Sequence, residues 1–152
     1  MKKFYLVTLF ALAILVVAPA AARAQGAARQ GPEIVRDPDM EKDSLHNLEV
    51  ARQYFKLRKA YKASLGRCEE ILAGNPTFSK IDEVLLLAGQ SSLRLSENKG
   101  KQSVKTATDK LREDARDYLS MLVNNYPESR FKDAAIEELK ALGGPKAKDS
   151  KQ

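Results

Sequence analysis

The chain has 152 residues, with 26 Lys or Arg against 20 Asp or Glu, one His and one Cys. A single Cys excludes an internal disulfide, and a single His leaves a nucleophile–His–acid triad nowhere to form except around His46. Without Lys2, Lys3 and Arg23 the balance is 23 basic to 20 acidic residues, which gives little drive towards nucleic acid.

The front of the chain has the organisation of an export signal. Lys2 and Lys3 are followed by an uncharged apolar run, Phe4 to Ala18, and then by Ala22-Arg23-Ala24. Small residues at those two alanine positions are what a signal peptidase reads, so residues 1–24 are expected to be removed before Gln25. The apolar run is 15 residues, short of the roughly 20 that span a bilayer. The destination is then the periplasm of a bacterium. The lone Cys68 lies far from the cleavage point, so no lipid anchor is expected there.

Residues 25–42 show no apolar periodicity and are expected to be a flexible leader. The ordered domain is expected over residues 43–142, all of it helical, because Val, Ile and Thr are too sparse for a series of strands. The first helix carries Leu45, Leu48, Ala51 and Phe55 at three- and four-residue steps, with Asp43 or Ser44 as its cap. The second carries Tyr61, Ser64 or Leu65, Cys68, Ile71 and Leu72. It is expected to stop at Gly74-Asn75-Pro76 with Gly74 in the left-handed cap.

Ser79 is expected to cap the third helix, with Asp82 at the capping-box position. Its stripe is Ile81, Val84, Leu85, Ala88 and Leu95, and Leu86 and Leu87 make Val84 to Ala88 apolar all round. A helix of that kind is buried on several sides, so this is the expected central helix. Ser96 to Gln102 is a polar break. The fourth helix shows Val104, Ala107, Leu111, Ala115, Leu119 and Leu122 on one face and ends at Asn124-Asn125-Tyr126-Pro127. The fifth begins near Ser129, with Phe131, Ala135, Leu139 and Leu142, and stops at Gly143-Gly144-Pro145. Residues 143–152 read as a disordered basic tail.

Five helices joined by short links imply antiparallel neighbours. The links Asn75-Pro76-Thr77-Phe78-Ser79 and Tyr126-Pro127-Glu128-Ser129 are alike, which marks an internal repeat. Counting back from Pro76, the positions Leu48, Ala51, Phe55, Tyr61, Ser64, Cys68 and Ile71 have the sizes found in a tetratricopeptide repeat. The second pair matches through Leu87-Ala88, Ser91, Ala115, Leu119, Leu122 and Pro127. Arg52 departs from the pattern, standing where the repeat usually has a small residue. The phrase from Asn125 to Ala135 resembles the junction of the BamD-like outer-membrane assembly lipoproteins. It differs in that the chain lacks a lipidation Cys and has about two and a half repeats, fewer than that family.

The resemblance implies an all-α fold of about five helices, with antiparallel pairs stacked as a short tetratricopeptide-like superhelix. It also implies a concave groove lined by the first helix of each pair. By the repeat's pattern that groove carries His46, Glu49, Gln53 and Lys56 from the first pair and Asp82, Leu85, Gly89 and Ser92 from the second. Such a mixed polar surface takes an extended peptide or a partner helix.

Nothing in the chain points to catalysis, a cofactor or a metal. Cys68 lies on an apolar stripe, as an inert buried thiol does. Glu69-Glu70, Asp82-Glu83 and Glu137-Glu138 are adjacent pairs that a helix splays apart, as solvated faces do. Two basic clusters, Lys56/Arg58/Lys59/Lys62 and Lys99/Lys101/Lys105, either keep the protein soluble or make salt-sensitive contact with anionic headgroups or an acidic partner.

The expected function is therefore a periplasmic protein–protein interaction module, serving outer-membrane or envelope protein assembly and associated with the outer membrane. Its partners would be other envelope proteins or extended peptides. The alternatives are an accessory scaffold of cell-wall or cell-division machinery, or a small periplasmic enzyme subunit. The export expectation is checked by sequencing the N-terminus of the protein recovered from a cell fraction. It should begin at Gln25; a start well before that residue, or incorporation of a fatty-acid probe, contradicts it.

Overall fold

A computed structural model describes residues 36–147, all within the compact unit Ile34–Gln152. Residues 1–35 and 148–152, on which the expected signal, most of the expected leader and the end of the expected tail fall, lie outside the described residues. The five helices are α1 (Pro38–Gln53), α2 (Tyr61–Gly74), α3 (Ile81–Ser96), α4 (Thr108–Asn125) and α5 (Lys132–Lys140), with no strand among the described residues. Each packs on the next, and α3 also meets α1 and α5. The order is a zigzag with α1, α3 and α5 on one side and α2 and α4 on the other. The expected all-α architecture of packed helix neighbours is what the chain adopts.

Helix α1 starts earlier than the apolar pattern implies, so residues 38–42 belong to the helix and not to the leader. Asp37 is the cap: its carboxylate accepts from the backbone N–H groups of Asp39 at 2.8 Å and Met40 at 3.2 Å. Pro38 follows at the first helical position, where its fixed φ suits the helix and its missing N–H has no role. Asp39 and Glu41 then face the positive end of the helix dipole. Ser44, one of the two expected caps, is buried inside the helix and accepts from Asn75 Nδ2 at 3.1 Å.

After Gln53 the helix widens into one π-helical turn, Tyr54–Arg58, which Ala60 N–H closes on Tyr54 O at 2.9 Å. Lys59 then takes the left-handed conformation, φ 50°, and reverses the chain into α2. At the other end of α2, Gly74 stays helical and its expected left-handed cap is absent. Asn75, with φ −141°, ends the helix by bonding its N–H to Ile71 O at 2.8 Å. Ser79 does not cap α3 either. Its N–H donates to the Glu41 carboxylate at 3.1 Å, so the link is tied to α1, and Asp82 is free to bond elsewhere.

Helix α3 is the hub, as its all-round apolar stretch requires. On one side Val84, Leu87 and Ala88 join Leu48, Ala51, Cys68, Ile71, Phe78 and Ile81 in one core. On the other, Leu85 joins Leu119, Leu122, Ala135 and Leu139 in a second. Gly89 permits the second contact. A Cβ there would stand 2.6 Å from Leu119 Cγ and 3.3 Å from Ala115 O.

The link from α3 to α4 runs from Glu97 to Ala107, so Val104 and Ala107 precede α4 and are not part of its face. This link is drawn onto the start of α2. Gln102 Oε1 accepts from Ala63 N–H at 3.2 Å, and Gly100, φ 100°, lies against Lys59 O and the Tyr61 ring. Leu142 likewise falls after α5, though it still packs on the second core.

Residues 143–147 are held, where a disordered tail was expected. Gly143 and Gly144 at φ 85° and 84° turn the chain back along α4. There Arg112 donates to Ala141 O at 3.0 Å and Arg116 to Gly144 O at 2.8 Å. Ser120 Oγ accepts from Lys146 N–H at 2.9 Å, and Asn124 donates to Lys146 O at 3.0 Å. Lys146 also pairs with Asp117.

Two glycine substitutions test this packing by denaturant unfolding. Gly89→Ala should destabilise by about 1–3 kcal/mol, the range for overpacking a filled core. Gly66→Ala, where a Cβ meets nothing within 4 Å, should stabilise by about 0.5–1 kcal/mol by favouring helix. Equal effects at the two sites would mean that α3 and α4 are not in the described contact.

Candidate functional site

The two halves of the expected groove meet different fates. His46, Glu49, Gln53 and Lys56 are exposed on α1. On α3, however, Leu85 is 1% exposed, Ser92 is fully buried and Gly89 is pressed against α4. Asp82 is half-buried, its Oδ2 accepting from Ser129 Oγ at 2.6 Å. Gly89 and Ser92 therefore line no open groove, and Leu85 turns away from the α1 side towards the second core. The match to a repeat placed the small position at Ala88, whereas the close helix approach is at Gly89. One residue is about 100° around a helix, enough to turn the expected face inward.

The face that α1, α3 and α5 share carries Glu83, Gln90 and Arg94 instead, and it is closed by charge. Arg52 binds both oxygens of Glu83 at 2.7 Å and Glu49 at 2.9 Å, and Arg130 approaches Glu83 at 3.8 Å. Arg94 binds Glu138 at 2.9 Å, which also accepts from Gln90 at 3.2 Å. The Glu83 bonds hold Arg52 still more firmly protonated than usual. Arg52, the residue out of place for a tetratricopeptide repeat, thus stitches α1 to α3.

The open apolar surface lies on the other side, between α2 and α4. A cleft of about 500 Å³ has Leu72, Ile81 and Leu85 in its floor and Tyr118, Met121 and Tyr126 in its walls. Met121 is 46% exposed, and the Tyr118 hydroxyl reaches Glu69 at 3.4 Å. A second cleft, of about 690 Å³, is formed by the two look-alike links, with Pro76 and Thr77 facing Pro127 and Glu128. The clefts adjoin, sharing Pro76, Ile81, Asn125 and Tyr126. The Asp82–Ser129 bond ties the second link to the first turn of α3 at the edge of the cleft. Leu72 was assigned to the core, and Tyr118 and Met121 carried no expectation. Their signal was present, since they widen the Leu119/Leu122 stripe on α4 beyond what one buried face needs.

His46 stands exposed on α1, away from Cys68 on the buried face of α2. Burial, with the charges of Glu69 and Glu83, pushes the Cys68 thiol up to about 12. Burial, then Glu69 and Asp114, pushes the Tyr118 hydroxyl up to about 12. Burial and Asp82 raise Tyr126 as well. Among the described residues no group of three His, Cys, Asp or Glu is placed to hold a metal ion, and no helix is long and apolar enough to cross a membrane.

Comparison with known proteins finds no matching family model, curated protein or solved structure.

The raised thiol and phenol acidities set a pH dependence. Their ordinary values are 9.0 and 10.0, so above about pH 9 the unfolded chain loses protons that the folded chain keeps. Stability is then fully present below pH 9 and is lost as pH rises towards 12. Unfolding followed across that range should show the decline, and Cys68→Ala and Tyr118→Phe should each flatten it. Thiol reagents should leave Cys68 unmodified in the native protein at pH 8 and modify it in denaturant. Rapid native modification would contradict its burial.

Proposed function

We propose that the chain is a non-catalytic, exported module of the tetratricopeptide type that holds other envelope proteins by their apolar segments, in outer-membrane or envelope protein assembly. The observation that carries this reading is the apolar cleft between α2 and α4, walled by Tyr118, Met121 and Tyr126. It lies beside the two Pro-containing links that resemble BamD-like junctions. The export signal agrees with a periplasmic site of action.

The physical basis is that of small apolar clefts in general. A volume of about 500 Å³ takes a few side chains of an extended segment or one face of a helix. Apolar area removed from water there is worth about 25 cal/mol per Å². Met side chains adapt to partners of differing shape. Tyrosine adds a large apolar body with a polar tip, and the Asn125 amide stands at the rim to bond backbone. The adjoining cleft lets a longer segment continue across both links. The α1 face is less suited, because Arg52 and Arg94 are already bonded within the protein.

Met121→Glu tests the cleft. Met121 is 46% exposed, so the substitution should leave melting within about 0.5 kcal/mol of wild type. Capture of envelope partners by the chain should fall sharply. Replacing Glu49, Gln53 and Lys56 together by Ala should leave capture intact. The opposite result, with capture lost only in the triple variant, would move binding to the α1 face.

A further inference from the structure

We infer that the end of the molecule formed by the α1–α2 turn and the α3–α4 link docks on an anionic phospholipid surface. The inference is independent of the cleft. It rests on a juxtaposition. The two basic clusters are 37 residues apart between Lys62 and Lys99, yet the fold brings them to one end. Gly100 lies on Lys59 O and the Tyr61 ring, and Ala63 N–H donates to Gln102 at 3.2 Å.

The resulting tip has an unusual charge. Residues 54–62 and 97–107 together hold seven basic side chains and one acidic, Glu97. The other described residues hold 13 basic and 17 acidic, so a cationic tip projects from an acidic body. All seven basic residues are exposed. Glu97 is bonded to Lys99 at 2.9 Å and to Arg94. Among the described residues Lys56, Arg58, Lys59, Lys62, Lys101 and Lys105 pair with no carboxylate.

The apolar component distinguishes a lipid surface from an acidic macromolecule. Leu57 is 79% exposed at the outer side of the π-helical turn, the most exposed large apolar residue described. It is flanked by Lys56 and Arg58, with Arg58 laid over the Tyr54 ring at 5.6 Å. Six of the seven charges are lysines, which act as point charges, whereas specific phosphate recognition favours the arginine fork. A projecting tip of lysines around one leucine fits a flat anionic layer with hydrocarbon beneath it. Headgroups meet the lysines and the leucine enters the acyl boundary.

The test is partition of the full chain, in the form recovered from cells, into vesicles. One set contains equal parts of phosphatidylglycerol and phosphatidylcholine, the other phosphatidylcholine alone. The ratio between sets is the readout, because an apolar N-terminal segment would bind both. The ratio should be large and should collapse in about 1 M salt, where charges are screened within about 3 Å. Each surface lysine contributes about fivefold, so changing Lys56, Lys62 and Lys101 to Gln should cut the ratio by about a hundredfold. Changing Lys42, Lys80 and Lys132, which stand near the starts of α1, α3 and α5 at the end opposite the tip, should cut it far less. The chain has no Trp, so Leu57→Trp provides a single reporter whose emission should shift to the blue on anionic vesicles. A ratio near one, equal losses in the two triple variants, or unshifted emission overturns the inference. So does a tip variant that keeps vesicle binding but loses crosslinks to an acidic protein.

Discussion

The close approach of α3 to α4 at Gly89 is the constraint on which the rest of the arrangement depends. Because no side chain separates the helices there, Leu119 enters the space beside α3 and draws Leu122 and α5 into a second core. With that face committed to α4, the opposite face of α3 is left for α1 and α2. One helix therefore belongs to two cores, and the pairs cannot slide independently. The open cleft is a by-product of the same contact. Where α4 leans on α3 it leaves α2, and the gap between them exposes the edges of both cores. Binding surface and stabilising surface are thus continuous, and Leu85 belongs to each.

Much of the helical order was legible because burial is periodic. The stripe of Leu111, Ala115, Leu119 and Leu122 and the all-round apolar stretch of α3 led to their observed places. Helix ends were less legible, since several are set by residues distant in sequence. Ser79 has the chemistry of a cap, but Glu41 takes its N–H. Ser44 has it too, but Asn75 takes its hydroxyl. Asp37 and Pro38 form a sound helix start that the polar surroundings concealed. The face of α3 was misjudged for a different reason. Ala88 and Gly89 are both small, and the sequence alone does not decide which of two adjacent small residues a neighbouring helix selects.

Charge is distributed in the same two-sided way. On the α1–α3–α5 side, Arg52 and Arg94 each hold carboxylates from a neighbouring helix, and the half-buried setting keeps those bonds from being fully screened. At the tip, the basic residues have no such partners among the described residues. Identical residue types therefore serve cohesion in one place and remain available in another. Composition, with its small net charge, averages the two and conceals the polarity.

The segment 141–147 lies along α4 in a manner with its own consequence. Arg112, Arg116, Ser120 and Asn124 recur every fourth residue, and each engages a peptide group of the segment and not a side chain. Recognition of that kind is indifferent to most of the residues recognised. Only Leu142, which packs on the second core, Gly143 and Gly144, whose φ values are positive, and Lys146, which pairs with Asp117, are constrained by what they are. The remaining positions can drift in composition over evolutionary time while the path of the strand-like strap stays the same, so relatives of this chain would be recognised there by the four-residue row on α4 and not by the strap itself.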